Sequence, residues 1–305
     1  MLVRTIDRVV DTPPPAPGFM GAGHTAVAVL DPAEFVHNDP FIVLMDDRVD
    51  LGPGDPLGGA HPHAGFETVT FVVEGEVRDR DEGTLKAGDV LWMTAGSGVI
   101  HNEDVTLVSK TRILQLWLTL PPNDRWTAPG FERIPRERAA VRREAGIDVR
   151  VYSGRSGDAV SDTRNHVPVT MADVGLAPNV ALDQDLPASY TGFLYVLEGD
   201  VHAGALGTRV ATGQVASFDC VGGDEPSTLR IVAGTRGARV ILYAGKPQRT
   251  PIVMHGPFVG ESRQDIARVS RDYMEGRFPR LSELASSAPS SVSPFSPPVS
   301  ASASG

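Results

Sequence analysis

The chain has a single cysteine, Cys220, among 305 residues. It can therefore close no internal disulfide and assemble no cysteine-based zinc site, a usage that suits a reducing compartment and makes the cytoplasm the expected location. Nowhere does it carry an apolar run approaching the roughly 20 residues of a membrane-spanning helix. Near the start, Arg4, Asp7 and Arg8 fall where a signal peptide needs uninterrupted apolar residues, so a soluble protein with no membrane contact is expected. Positive charge is also scarce: 28 Lys and Arg against 38 Asp and Glu leave a net charge of −10. No Lys/Arg block reverses that sign locally, and a surface of this sign repels phosphates, which argues against direct nucleic-acid binding. A protein partner stays open.

Long helical patterns are few, whereas 32 Gly and 25 Pro punctuate short β-branched and aromatic runs. That combination predicts a mostly antiparallel all-β protein. Candidate strands are 25–30, 66–73, 90–93, 113–120, 149–152, 193–197 and 240–243. The length exceeds what one core usually serves, roughly 250–300 residues, so two domains or one domain built twice is expected. A repeat decides for the second. Phe71-Val72-Val73-Glu74-Gly75-Glu76-Val77 returns as Tyr195-Val196-Leu197-Glu198-Gly199-Asp200-Val201, and Gly88-Asp89-Val90 returns as Gly213-Gln214-Val215 at nearly the same offset. The expected layout is a first β-barrel over 1–134, a second over 135–260, a helical extension over 261–285 and a disordered Ser/Pro-rich tail over 286–305. In the extension, Ser262 with Asp265 makes a capping box, followed by an apolar stripe of Ile266, Val269, Tyr273 and Met274.

Three of the eight histidines fall in two short motifs, His61-Pro62-His63 and His101-Asn102-Glu103. In extended chain, residues i and i+2 face the same way, so each motif presents two ligand atoms to one side. Continued alternation places Glu67, Val69, Phe71 and Val73 on that side as well, aiming the histidines into an apolar barrel interior. Three imidazoles and one carboxylate there suit a borderline divalent metal: Fe(II), Mn(II), Ni(II), Co(II), Cu(II) or Zn(II). Cellular availability favours iron. Parity alone allows either Glu67 or Glu103 to supply the carboxylate.

Two segments carry a family resemblance: His61-Pro62-His63-Ala64-Gly65-Phe66-Glu67-Thr68-Val69-Thr70, and Gly88 through Glu103 with its Thr94-Ala95-Gly96-Ser97-Gly98 approach to His101. Leu114-Gln115-Leu116-Trp117, Gly256-Pro257-Phe258-Val259, Arg271-Asp272-Tyr273 and Gly276-Arg277-Phe278 agree with it. Together they resemble the pirin family of the cupin superfamily over most of residues 1–280. The resemblance implies a bicupin of two jelly-roll-like barrels, with His61, His63, His101 and Glu103 around an iron-type metal in the first. Glu67 is then a neighbour that orients a histidine or touches a bound ligand.

The second copy offers no imidazole at the matching positions, near Asp185, Leu186 and Pro187 and near Glu225 and Pro226, so a metal-free barrel is expected there. Two functions follow from the resemblance. One is a quercetin 2,3-dioxygenase-like enzyme that uses O2 on a flavonol-like aromatic, with Glu103 as ligand or base. The other is a metal- and redox-responsive regulator that binds a transcription factor or a metabolic enzyme.

Overall fold

The apolar runs of the sequence form strands because alternate residues along them can be buried on one face of a sheet. The computed structural model describes residues 2–18, 21–50, 59–79, 83–102, 106–107, 110–223 and 225–284, so the tail expected to be disordered lies outside the described residues. One seven-stranded sheet has the order Gly130–Ile134, Val90–Thr94, Phe66–Glu74, Thr111–Thr119, Phe41–Val49, His24–Leu30, Ala16–Pro17. The second sheet runs Ala140–Glu144, Ile147–Ser153, Val169–Leu176, Pro226–Gly245, Thr191–Ala203, Gln214–Phe218, Ile6–Asp11. Ala181–Pro187 also pairs with Pro226–Gly245, antiparallel. The expected all-β, two-module bicupin architecture is the one observed. No helix among the described residues is long and apolar enough to cross a membrane.

The modules stack through a shared core. Val69, Phe71, Val73, Trp92, Leu114, Leu116 and Leu118 of the first meet Tyr152, Met171, Phe193, Tyr195, Ile241 and Tyr243 of the second. Burying each such side chain stabilises by roughly 1.5–3 kcal/mol, which makes this interface a true interior. One ionic group inside it is fully partnered: Arg112 donates to both oxygens of Asp46 at 2.9 and 2.7 Å, and Tyr195 Oη of the opposite module donates to Asp46 Oδ2 at 2.8 Å. The repeated Glu-Gly motif behaves differently in the two copies. At Glu74-Gly75 one strand ends and another begins, while Thr191–Ala203 runs on through Glu198-Gly199 with shifts in register.

The two ends of the chain exchange modules, which revises the expected division at both ends. Leu2–Val3 pairs with Ser227 and Thr228, and Ile6–Asp11 pairs with Gln214–Phe218, so the first residues of the 1–134 span belong to the second sheet. Conversely, the hairpin Val253–His255 and Phe258–Gly260, within the 135–260 span, bridges to Ala64 of the first module. Local pattern shows that an apolar segment must dock; it does not show which uncovered surface receives it.

The C-terminal helix, Arg263–Met274, starts as expected. Ser262 Oγ accepts from the Asp265 N–H at 3.2 Å, and Asp265 Oδ2 accepts from the Ser262 N–H at 3.0 Å. Ile266 and Val269 are buried, whereas Met274 is 77% exposed, so the apolar stripe is shorter than the spacing predicts. Tyr273 meets the Phe258 ring edge-on and the Phe278 ring at a tilt.

Candidate metal centre

Strand Ala60–His63 pairs antiparallel with Val99–Asn102, which sets His61 directly opposite His101 and His63 opposite Val99. Same-face spacing then adds His63 to the pair. The ring centroids of His61 lie 4.8 Å from His63 and 4.2 Å from His101, with 4.9 Å between His63 and His101. Nε2 of His61 and Nε2 of His101 are 2.8 Å apart, and one ligand atom from each of the three lies within 4.8 Å of the others. Two nitrogens that share an ion at about 2.1 Å in cis positions stand about 3 Å apart, so the spacing fits joint ligation.

The protonation of these rings suits the same role. His61 Nδ1 lies 3.0 Å from the Gly59 carbonyl oxygen, which only accepts, so Nδ1 carries the proton and Nε2 keeps its lone pair. His63 and His101 are buried. Burial pushes the His63 imidazole well below its ordinary range, and His101 and His61 push it further. A neutral imidazole is the form that binds metal. A backbone hydrogen bond with Pro257 opposes the lowering of the His63 pKa. Three imidazoles with converging nitrogens are the donor set of a borderline divalent ion.

The wall beside the histidines is aromatic. Phe66 and Trp117 stand 5.2 and 5.5 Å from the His63 ring and 4.4 Å from each other. Ile42, Phe35 and Val259 back Phe66. Glu103, expected as the fourth ligand, lies outside the described residues.

Glu67 requires a correction, because it does not share the histidine face. Ala64 and Gly65 interrupt the alternation between Ala60–His63 and Phe66–Glu74, with Gly65 at φ +87°. A shift of one residue turns every following side chain over. Phe66 therefore stands beside His63, while Glu67 turns with Val69 and Phe71 toward the second module. There Thr94 Oγ1 donates to Glu67 Oε1 at 2.7 Å, and the Trp92 side chain is a second hydrogen-bonding neighbour of the carboxyl. Burial raises the Glu67 carboxyl above its usual range, opposed by the nearby His166 and by the Thr94 hydrogen bond.

Arg125 is a residue that sequence reasoning passed over. Fully buried, it donates from Nη1 to the Gly65 carbonyl at 3.1 Å and to Thr119 Oγ1 at 3.1 Å, and from Nε to Glu261 Oε1 at 3.3 Å. It sits in a Pro- and charge-rich stretch after Thr119, where one more arginine gives no signal in the sequence. In the second module, Leu186 and Pro187 pair with Ser227 and Pro226, so a comparable strand pair exists there without imidazoles.

Comparison with known proteins agrees with this architecture. Residues 28–118 match the family model described as Pirin, and residues 171–279 match the Pirin C-terminal cupin domain. A "Pirin-like protein" of Caulobacter vibrioides is 33% identical over 288 residues, covering 91% of this chain and 100% of the relative. A Pseudomonas aeruginosa protein named "Putative quercetin 2,3-dioxygenase PA3240" is 35% identical over 279 residues, covering 85% of this chain and 94% of that one. Among solved structures, a quercetin 2,3-dioxygenase from Acinetobacter baumannii aligns with a TM-score of 0.79 at 26% identity, covering 90% of this chain and 98% of that one.

Proposed function

The chain belongs to the pirin family, and on that footing we propose that it is a metal-dependent dioxygenase acting with O2 on a flavonol-like aromatic, in the manner of a quercetin 2,3-dioxygenase. The observation that carries this reading is the convergence of His61, His63 and His101 beside the Phe66–Trp117 wall. His61, His63 and His101 would hold the ion, with Glu103 as fourth ligand or as the base that takes the substrate hydroxyl proton. Fe(II) is the ion we favour, on grounds of supply in a reducing cytoplasm. Such a metal would act as a Lewis acid and lower the pKa of a chelating hydroxyl.

The chain's own residues do the rest. Burial favours the neutral, metal-binding form of the His63 imidazole. The half-buried Trp117 ring, backed by the fully buried Phe66, offers an apolar surface against which an aromatic substrate can lie, and it excludes water near the histidines. Glu67, facing the other module, takes no part in this chemistry.

The test is to load the protein with Fe(II) without air, then admit O2 with quercetin. Oxygen uptake and loss of the flavonol absorbance are expected, and both should vanish in His61→Ala. If no quercetin is consumed with Fe(II), Mn(II), Ni(II), Co(II) or Cu(II), the dioxygenase reading fails. A partner whose affinity changes when the metal is oxidised would then support the regulatory one.

A further inference from the structure

The two histidine strands form a two-stranded ribbon of their own, separate from the large sheets. The chain from Val253 to Glu283 grips this ribbon at residues adjoining the ligands. Next to His63, the Ala64 N–H donates to Pro257 O at 3.3 Å, and the Val259 N–H donates to Ala64 O at 2.9 Å. Next to His101, the Ile100 N–H donates to Pro279 O at 2.9 Å. The Phe278 ring covers Gly98, where an added Cβ would lie 2.2 Å from it. Ile266 and Val269 of the helix pack with Ala64, Phe258 and Phe278, and Glu261 meets Arg125, which also holds Gly65.

Each ligand strand is thus fastened to one continuous C-terminal strap, at positions one residue from His63 and one from His101. The second module fastens its strand pair differently. Arg4, fully buried, donates to Pro187 O at 3.2 Å and to Ser227 Oγ at 3.3 Å, and pairs with Asp219 at 3.1 Å.

We propose that the C-terminal strap is a positioning element of the metal centre: its docking sets His61 and His63 against His101, and ion binding and strap docking strengthen each other. This rests on the reading that the three histidines hold a metal. The coupling is reciprocal by linkage, so the ion must tighten the strap as much as the strap tightens the ion. Supports of this kind around ligands change metal affinity by roughly 10–100-fold.

The experiment uses the full chain, with Ni(II) as the probe. Calorimetric titration should show Phe278→Ala binding Ni(II) roughly ten-fold more weakly, Phe278→Leu restoring affinity, and Glu261→Gln giving a smaller loss. Leu229→Ala, a cavity in the second module's core, should lower the melting temperature without changing Ni(II) affinity. In the unaltered protein, Ni(II) should slow hydrogen exchange at the Val259 and Ile100 amides. If Phe278→Ala and Glu261→Gln bind Ni(II) like the parent, or those amides exchange alike with and without Ni(II), the strap proposal is overturned while the metal centre stands. A parent chain that takes up none of Ni(II), Fe(II) or Mn(II) overturns both.

Discussion

Arg125 donates from Nη1 to the carbonyl oxygen of Gly65 at 3.1 Å, and Gly65 is where the strand alternation inverts between His63 and Glu67. A buried guanidinium thereby fixes the bend that sends the histidines to one side of the sheet and the carboxylate to the other. The same arginine reaches Glu261. The bend, the ligands and the end of the chain are mechanically one unit.

The bend itself leaves no room for a side chain. A Cβ on Gly65 would stand 1.8 Å from the Val259 carbonyl oxygen, and its φ of +87° is strained for any other residue. Gly65→Ala should cost more than about 2 kcal/mol in urea unfolding and weaken Ni(II) binding in the same protein. Unchanged stability would show that Val259 can move aside.

Glu67→Gln separates the two carboxylates that parity alone could not. The Glu67 pKa is raised, so in the folded state it binds more protons than in the unfolded one. Its ionisation removes stability as pH rises through the raised pKa. The glutamine variant should therefore match or exceed the parent above that pH, and lose that advantage as pH falls toward the ordinary carboxyl range. His166 and Asp124, which face Glu67, must be kept in place. Metal stoichiometry should be unchanged in Glu67→Gln and reduced in Glu103→Gln.

Without metal, His63 should make the fold acid-sensitive earlier than its carboxylates do. Its folded pKa is lowered, so the unfolded chain binds the extra proton first, and stability falls as pH drops below about 6.5. Thermal scans of the metal-free parent and His63→Gln between pH 7 and pH 5 check this. The parent's melting temperature should fall more steeply over that window.

Arg4→Met tests the other terminus. Removing the guanidinium leaves Asp219 and the Pro187 and Tyr190 carbonyls without their donor. A loss of about 1–3 kcal/mol is expected, because the Pro187 and Tyr190 carbonyls lose a buried hydrogen-bond donor. Ni(II) affinity should hold, since Arg4 serves the second module.

Much of this protein is legible in the letters because it depends on local spacing. His61 and His63 share a face by being two apart, Ser262 and Asp265 cap a helix by being three apart, and the Glu-Gly repeat announces two copies. The side that Glu67 takes does not follow from strand parity, because alternation cannot be carried across Ala64-Gly65, where one glycine at positive φ reverses it. Met274 was misplaced because helical spacing marks a stripe but not how far the receiving surface extends.

The sequence by itself determined the kinds of ligand, the doubling of the module and the strands that carry the histidines, since these follow from residue type and short-range periodicity. Only the tertiary structure decided that His101 stands opposite His61, that Glu67 faces the neighbouring module, and that each end of the chain crosses to the other half. Those outcomes depend on which apolar and polar surfaces remain uncovered once both sheets have formed, a property of the assembled interior that no window of sequence contains.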